Sequence, residues 1–394
     1  MDKALNIAHC VESYEPAKGG MPEVVKQLSE RLVKAGHRVT VFTSTHPGRK
    51  SDQLNGVHIR SFPVQSNRVE GIKGDTETYF SALKNGAFDV VTFFAAQQWS
   101  VDAVIDRLQE IPGKKVFVPT GFSHFYNPAY KQYFDSMSRW MHSFDMNVFL
   151  SDNYQDINFA RKHGVKNIML IPNGAAEEEF ESAHSISVRK KLGISNDQLM
   201  LLHVGTYTGI KGHREALRIF TGASIGNAVL VLAGNKIHYL EKAFRSHYSY
   251  FLLRLRALLK RKRIIFVELS RDETVSAFRE ADLFFFPSNV ECSPIVLFES
   301  MAAGVPFLAS DAGNTAEIIQ WSEGGWLLPG EKAANGWARI DIGRSIETLE
   351  RVVADRNRLK STGAKGKQAW KEKFTWKKIA EQYSDLYQSL VQTK

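Results

Sequence analysis

Short runs rich in Val, Ile, Leu and Phe alternate with amphipathic segments along this chain, and the alternation stops once and then starts again. The first series is "LNIAHCV", "HRVTVFTS", "VHIRSFP", "DVVTFF", "KKVFVPT", "MNVFLSD" and "NIMLIPNG", with helical patterns such as residues 22–35 between most of them. Apolar runs this short, separated by helix-length segments, specify strands that pair in parallel through crossover helices. After a polar, acidic stretch at 177–184 the second series follows: "LMLLHVGTY", "AVLVLAG", "RIIFVEL", "DLFFFPS", "PFLAS" and "GWLLP". The chain is therefore expected to be α/β, with two Rossmann-like domains over residues 1–175 and 176–372, joined near 172–185. Residues 373–394 read as an amphipathic helix with no strand after it, expected to pack back on the first domain. With 394 residues, 43% of them hydrophobic, the chain has material for two cores.

The remaining composition excludes more than it selects. Cys10 and Cys292 are too far apart in sequence to form a ligand pair, so neither a disulfide framework nor a zinc site is indicated and a reducing cytoplasm is the default. No apolar run approaches the roughly 18 residues of a membrane span, and residues 1–20 lack a secretory apolar stretch. A net charge of +9 favours acidic partners: nucleic acid, an anionic membrane surface or a phosphorylated small molecule. No nucleic-acid motif is present, and the first strand is not followed by Gly-x-Gly-x-x-Gly, which argues against a nucleic-acid binder and a dinucleotide dehydrogenase.

In open α/β sheets ligands bind beyond the carboxyl ends of the strands, so chemistry is sought in strand-to-helix turns. In "PSNVECSPIVLFESMAAGVPFLASDAGNTAEII", Ser293 is the expected N-cap, Pro294 the first helical residue and Gly304 the stop of a helix over about 294–303. The N-terminus of that helix is an anion site suited to a diphosphate. Glu291 before it and Glu299 within it are strong acceptors for sugar hydroxyls; taken alone, the pair reads equally as a dipole partner and a solvated side chain. In "HVGTYTGIKGHREAL", Lys211 offers a point charge to phosphate, and Gly205, Gly209 and Gly212 allow close backbone approach. Gly19 and Gly20 do the same ahead of the first helix. "VFVPTGFSHFYNP" brings Thr120, Gly121 and His124 to a fourth turn, and "IPNGA" marks the exit from the first domain.

These motifs together resemble the retaining glycosyltransferases with the GT-B fold, of the glycosyltransferase family 4 type, over nearly the whole chain. The most specific feature is the strand ending in Pro-Ser, a glutamate, a small-residue turn, a second glutamate eight positions on, Ala-Ala-Gly-x-Pro and a final Glu-Ile-Ile. The resemblance implies a first domain that binds the acceptor, a second that binds a nucleotide sugar, and sheets facing an interdomain cleft. It places Glu291 near the donor sugar and Glu299 near the ribose. The amides around Cys292, Ser293, Ile295 and Val296 then address the diphosphate; Pro294 belongs to that turn but supplies no N–H. Gly19, Gly20, Gly205, Thr206 and Lys211 complete the donor side. Thr120, Gly121 and His124 fall on the acceptor side, with His124, Lys211 and Glu291 as the candidate catalytic residues.

Two departures from the family pattern matter. Thr206 stands where an arginine is usual, and Thr120 where a histidine is usual, so a catalytically silent nucleotide-sugar-binding or scaffold protein is the alternative to an enzyme. No Asp-x-Asp stands at a suitable strand end; no metal and no cofactor are expected, the nucleotide sugar being a co-substrate. The acceptor is expected to be a glycan or a lipid-linked molecule, in synthesis of lipopolysaccharide, another surface polysaccharide or a glycoconjugate. Residues 239–263 hold eight Lys and Arg beside Tyr248, Tyr250 and Phe251. That mixture fits an ordinary crossover helix with a basic solvated face and also a peripheral attachment to an anionic membrane; in the second reading Lys260, Arg261, Lys262 and Arg263 are the anchor.

Overall fold

The computed structural model describes residues 3–182 and 186–392, so the last part of the expected joint, 183–185, lies outside the described residues. The chain divides into two compact units, one built from residues up to Asn173 together with those from Trp376 onward, the other from Gly174–Thr375.

The first unit is an eight-stranded sheet. Its strands are β1 (Asn6–Cys10), β2 (Arg38–Ser44), β3 (Gln53–Leu54), β4 (Val57–Phe62), β5 (Val90–Phe94), β6 (Lys114–Val118), β7 (Met146–Phe149) and β8 (Ile168–Leu170). Their order is β3-β4-β2-β1-β5-β6-β7-β8, parallel except for the short β3–β4 pair. All five residues of β5 are buried, as expected of a parallel strand covered on both faces. The chain builds outward from β1 through β2 and β4, then returns to place β5 on the other side of β1. The switch point, and hence the crevice for ligands, is at β1/β5.

The second unit repeats the scheme with six parallel strands: β9 (Leu199–Val204), β10 (Ala228–Ala233), β11 (Arg263–Val267), β12 (Leu283–Phe286), β13 (Phe307–Ala309) and β14 (Gly325–Leu327). The order β11-β10-β9-β12-β13-β14 sets the switch point at β9/β12. Buried side chains such as Leu202, Val231, Phe284 and Phe298 form its core, each contributing about 2 kcal/mol by leaving water.

The domain boundaries fall two or three residues from the expected ones, for a local reason. Ala175 N donates to Phe374 O at 3.0 Å, and Trp370 Nε1 donates to Ala175 O at 3.1 Å. Both crossings of the chain are thereby held in the second unit. The last helix, Trp376–Gln392, lies against the helix Gly20–Lys34 of the first unit. Its Tyr387 is fully buried, with its hydroxyl 2.7 Å from Thr92 Oγ1 and 3.3 Å from His9 Nε2.

Candidate functional site

Lys211 follows β9 and Glu291 follows β12, the two strands that flank the switch point of the second unit. Eighty residues apart in sequence, they meet in an ion pair with Lys211 Nζ 2.8 Å from Glu291 Oε1. Ser288 Oγ donates to the same oxygen at 2.8 Å. The Glu291 side chain is largely buried, whereas Lys211 remains about one-third exposed, so the cation can reach a ligand.

Backbone contacts hold these turns together. Asn289 N donates to Ile210 O at 2.9 Å. Gly212, at φ +71°, lies so close to the end of β12 that a Cβ there would sit 1.7 Å from Pro287 O. On the far side, Asn314 N donates to Cys292 O at 2.8 Å and Asn314 Nδ2 donates to Ser293 Oγ at 3.2 Å. Three consecutive strand-end turns are thus locked into one surface.

The helix after Glu291 runs Ile295–Ala303 and ends at Gly304 in the left-handed region. The expected cap is corrected here: Pro294, with ψ 111°, is the capping residue and has no side chain able to bond the helix amides. Ser293 is buried, and its hydroxyl accepts from Asn314 Nδ2. The amides of Ile295 and Val296 open the first turn, both residues being half-buried.

Glu299 is only 5% exposed, and Arg271 Nη1 lies 2.6 Å from its Oε1. Arg271 also reaches Glu179 through Nε at 2.8 Å. Burial works against its charge, yet the carboxylates of Glu299 and Glu179 hold the guanidinium above its ordinary range. The sequence reading missed Arg271. The signal was available: Ser270 and Glu273 form a capping box that starts a helix directly after β11, at the ligand edge of the sheet.

Beside Lys211, His213 Nε2 donates to Gly205 O at 3.1 Å and His203 Nδ1 donates to Phe285 O at 2.9 Å. Burial, then the neighbouring positive groups, keep both rings neutral; His213 is lowered to about 4 and His203 falls well below its ordinary range. Unfolded, each takes up a proton near pH 6.5. Stability is therefore full above pH 6.5 and is lost as pH falls toward 4, at about 1.4 kcal/mol per pH unit for each ring. His213→Gln is expected to make the fall in unfolding midpoint across that window shallower, and an unchanged slope would contradict it.

On the first unit, Gly19 caps the helix Gly20–Lys34 with φ 155°. Thr120, Gly121 and Phe122 form a run of positive φ angles at 57°, 95° and 57° directly after β6. Asp156 and Gln155 hold that run: Gly121 N donates to Asp156 Oδ2 at 2.8 Å, and Gln155 Nε2 donates to Phe122 O at 2.9 Å. His124 is exposed, its ring stacked on Tyr130 at 4.6 Å. After β5, Gln97 also has positive φ, 61°, and its N donates to Tyr133 Oη at 2.9 Å. Tyr133 in turn donates to Asp102 at 2.7 Å; burial pushes the Asp102 carboxyl up to about 6. Backbone strain of this kind concentrates where a turn serves a ligand. The sequence reading did not find Gln97, Tyr133 or Asp102, whose roles depend on partners more than 30 residues away.

Two family models match almost end to end: Glycosyltransferase Family 4 over residues 18–179 and Glycosyl transferases group 1 over residues 185–365. The chain belongs to glycosyltransferase family 4. It is similar to an uncharacterized glycosyltransferase of Methanocaldococcus jannaschii, 25% identical with 97% of this chain and 98% of that one covered. Its fold is that of the sucrose-phosphate synthase from Thermosynechococcus elongatus, with a TM-score of 0.78 at 20% identity over 99% and 100% of the two chains. An Anabaena protein solved with UDP and glucose is similar as well, with a TM-score of 0.73 at 15% identity over 98% and 100%. This family 4 glycosyltransferase therefore has the GT-B fold, with an ion pair at the switch point of its second unit. Among its described residues no group of three or more His, Cys, Asp or Glu could hold a metal ion, and no helix is long and apolar enough to cross a membrane.

Proposed function

We propose that the chain transfers a sugar from a nucleotide-sugar donor to a glycan or lipid-linked acceptor, with retention of anomeric configuration and without a catalytic metal. The observation that carries this reading is the Lys211–Glu291 pair at the β9/β12 switch point, beside a helix N-terminus. A cation and helix amides converge there on one anion. The Anabaena protein's UDP and glucose support a nucleotide sugar as that anion.

In the proposed step the bond from the anomeric carbon to the diphosphate oxygen breaks, and negative charge grows on the departing phosphate. Lys211 and the amides of Ile295 and Val296 face that charge. The acceptor oxygen bonds to the same face of the sugar, and its proton passes to the departing phosphate. Glu291 orients Lys211 and accepts from donor-sugar hydroxyls; Glu299, held by Arg271, accepts from the ribose. Gly19, Gly20, Gly205 and Thr206 let backbone approach the donor. Thr120, Gly121 and His124 are assigned to the acceptor.

Glu299→Gln keeps the shape of the side chain and removes its charge. A hydrogen bond to a charged group contributes roughly 1.5 to 3 kcal/mol, so the variant is expected to raise donor KM about ten- to a hundredfold. The measurement is steady-state kinetics with the best donor from a nucleotide-sugar panel, alongside an unfolding midpoint. Unchanged KM in a folded variant would remove Glu299 from the donor site.

A further inference from the structure

The crossover between β10 and β11 consists of two helices, Ile237–Ser246 and Phe251–Leu259, with a 3₁₀ turn, Tyr248–Tyr250, between them. Leu240, Phe244, Tyr250 and Leu253 anchor this segment in the core of the second unit. Much of what it leaves outside is apolar: Tyr248 is 87% exposed, Leu258 75%, Leu259 73% and Leu252 62%, and Tyr239, Phe251 and Leu255 are exposed too. Seven of the eleven exposed large apolar side chains among the described residues thus lie in this one crossover. Residues 251, 252, 255, 258 and 259 follow helical spacing, so they form one ridge opposite the buried Leu253 and Ala257. A contiguous apolar ridge of this kind marks an interaction surface.

The structure also sorts the basic residues, and it corrects the expected anchor at 260–263. Lys260 Nζ donates to Gly222 O and, at 3.1 Å, to Ala223 O, closing the end of the helix His213–Gly222. Lys262 is buried, donates to Phe220 O and has its pKa lowered by that burial to about 8. Arg263 donates to Leu192 O and Gly193 O, and Arg254 to Phe244 O. These four are spent on the unit's own carbonyls. Lys242, Arg256 and Arg261 are exposed and meet no carboxylate among the described residues. Arg256 stands one helical turn from both Leu252 and Leu259.

We propose that this ridge docks on an anionic bilayer, its leucines and aromatic rings entering the headgroup layer while Lys242, Arg256 and Arg261 meet lipid phosphates. From 242 to 263 the chain has eight Lys and Arg and no Asp or Glu. Two copies of such a face repel each other, whereas an anionic bilayer complements both its charge and its apolar side chains. The inference stands apart from sugar transfer. Donor hydrolysis, measured without lipid, separates failure of one from failure of the other.

The test is flotation of the full chain with phosphatidylglycerol-containing vesicles and with phosphatidylcholine vesicles. The wild type is expected to float with the anionic vesicles in low salt. The triple variant Lys242→Gln, Arg256→Gln, Arg261→Gln should lose about a hundredfold in partition, at about tenfold or less per charge. A second variant, Leu252→Ser, Leu255→Ser, Leu258→Ser, should also lose flotation while keeping donor hydrolysis and unfolding midpoint. Absence of flotation by the wild type, or equal flotation by all three proteins, overturns the proposal. So does a concentration-dependent dimer that the serine variant breaks, which would assign the ridge to a second copy.

Discussion

Replacing Lys211 by methionine is expected to lower turnover by roughly two to three orders of magnitude, the cost of removing one fixed charge partner from a developing oxyanion. Donor affinity should fall less, because the charge on the diphosphate grows as its bond to the sugar breaks. The geometry behind this is the 2.8 Å contact between Lys211 Nζ and Glu291 Oε1. That contact fixes the direction of a flexible side chain before the donor arrives. Methionine keeps the apolar stem but supplies no charge, and it takes the ion-pair partner from the largely buried Glu291. Separate determination of kcat and KM decides the matter: a loss confined to KM would show that Lys211 only binds. Chelators are expected to leave wild-type turnover unchanged, and a strict requirement for a divalent ion would contradict the metal-free step.

The second large effect is structural. Gly212→Ala places a Cβ 1.7 Å from Pro287 O and 2.8 Å from Ser288 N, at a φ of +71° that L side chains rarely adopt. Left-handed backbone alone costs about 1 to 2 kcal/mol and overpacking adds about 1 to 3. A loss near 3 kcal/mol or more is therefore expected in denaturant unfolding. Gly209→Ala is the internal control. Gly209 also has positive φ, +85°, but a Cβ there meets nothing within 4 Å; only the backbone cost of about 1 to 2 kcal/mol should appear. Equal losses in the two variants would mean that the Lys211 turn is not seated on the end of β12. Because that seating positions Lys211 against Glu291, the Gly212 variant should also lose turnover at temperatures where it remains folded.

Strands and crossovers were legible because parallel sheets need short, fully apolar runs, and "AVLVLAG" has no other sensible reading: β10 is buried at all six positions. Lys211 and Glu291 were each readable from their own turns, but not their contact. The contact depends on β9 and β12 being neighbours, a property of strand order rather than of local sequence. Ser293 shows the limit of cap propensity: the helix begins one residue later than the serine suggests, with Pro294 at the cap, and Asn314, twenty-one residues on, donates to the Ser293 hydroxyl. The basic run at 260–263 leaves only Arg261 facing outward without such a bond, for a related reason. Charge density in sequence does not reveal that Lys260 and Lys262 are needed by helix-end carbonyls more than 35 residues away. Arg271 was missed because the Glu299 that it neutralises is remote in sequence and nearly buried.

Sugar transfer through Lys211 is tested most directly by mass spectrometry of the purified chain incubated with a panel of nucleotide sugars. At least one donor is expected to be converted to its nucleoside diphosphate and released sugar or glycoside above the enzyme-free blank, and Lys211→Met to lose nearly all of that conversion. Donor binding without conversion by the wild type, or equal conversion by wild type and Lys211→Met, would contradict it.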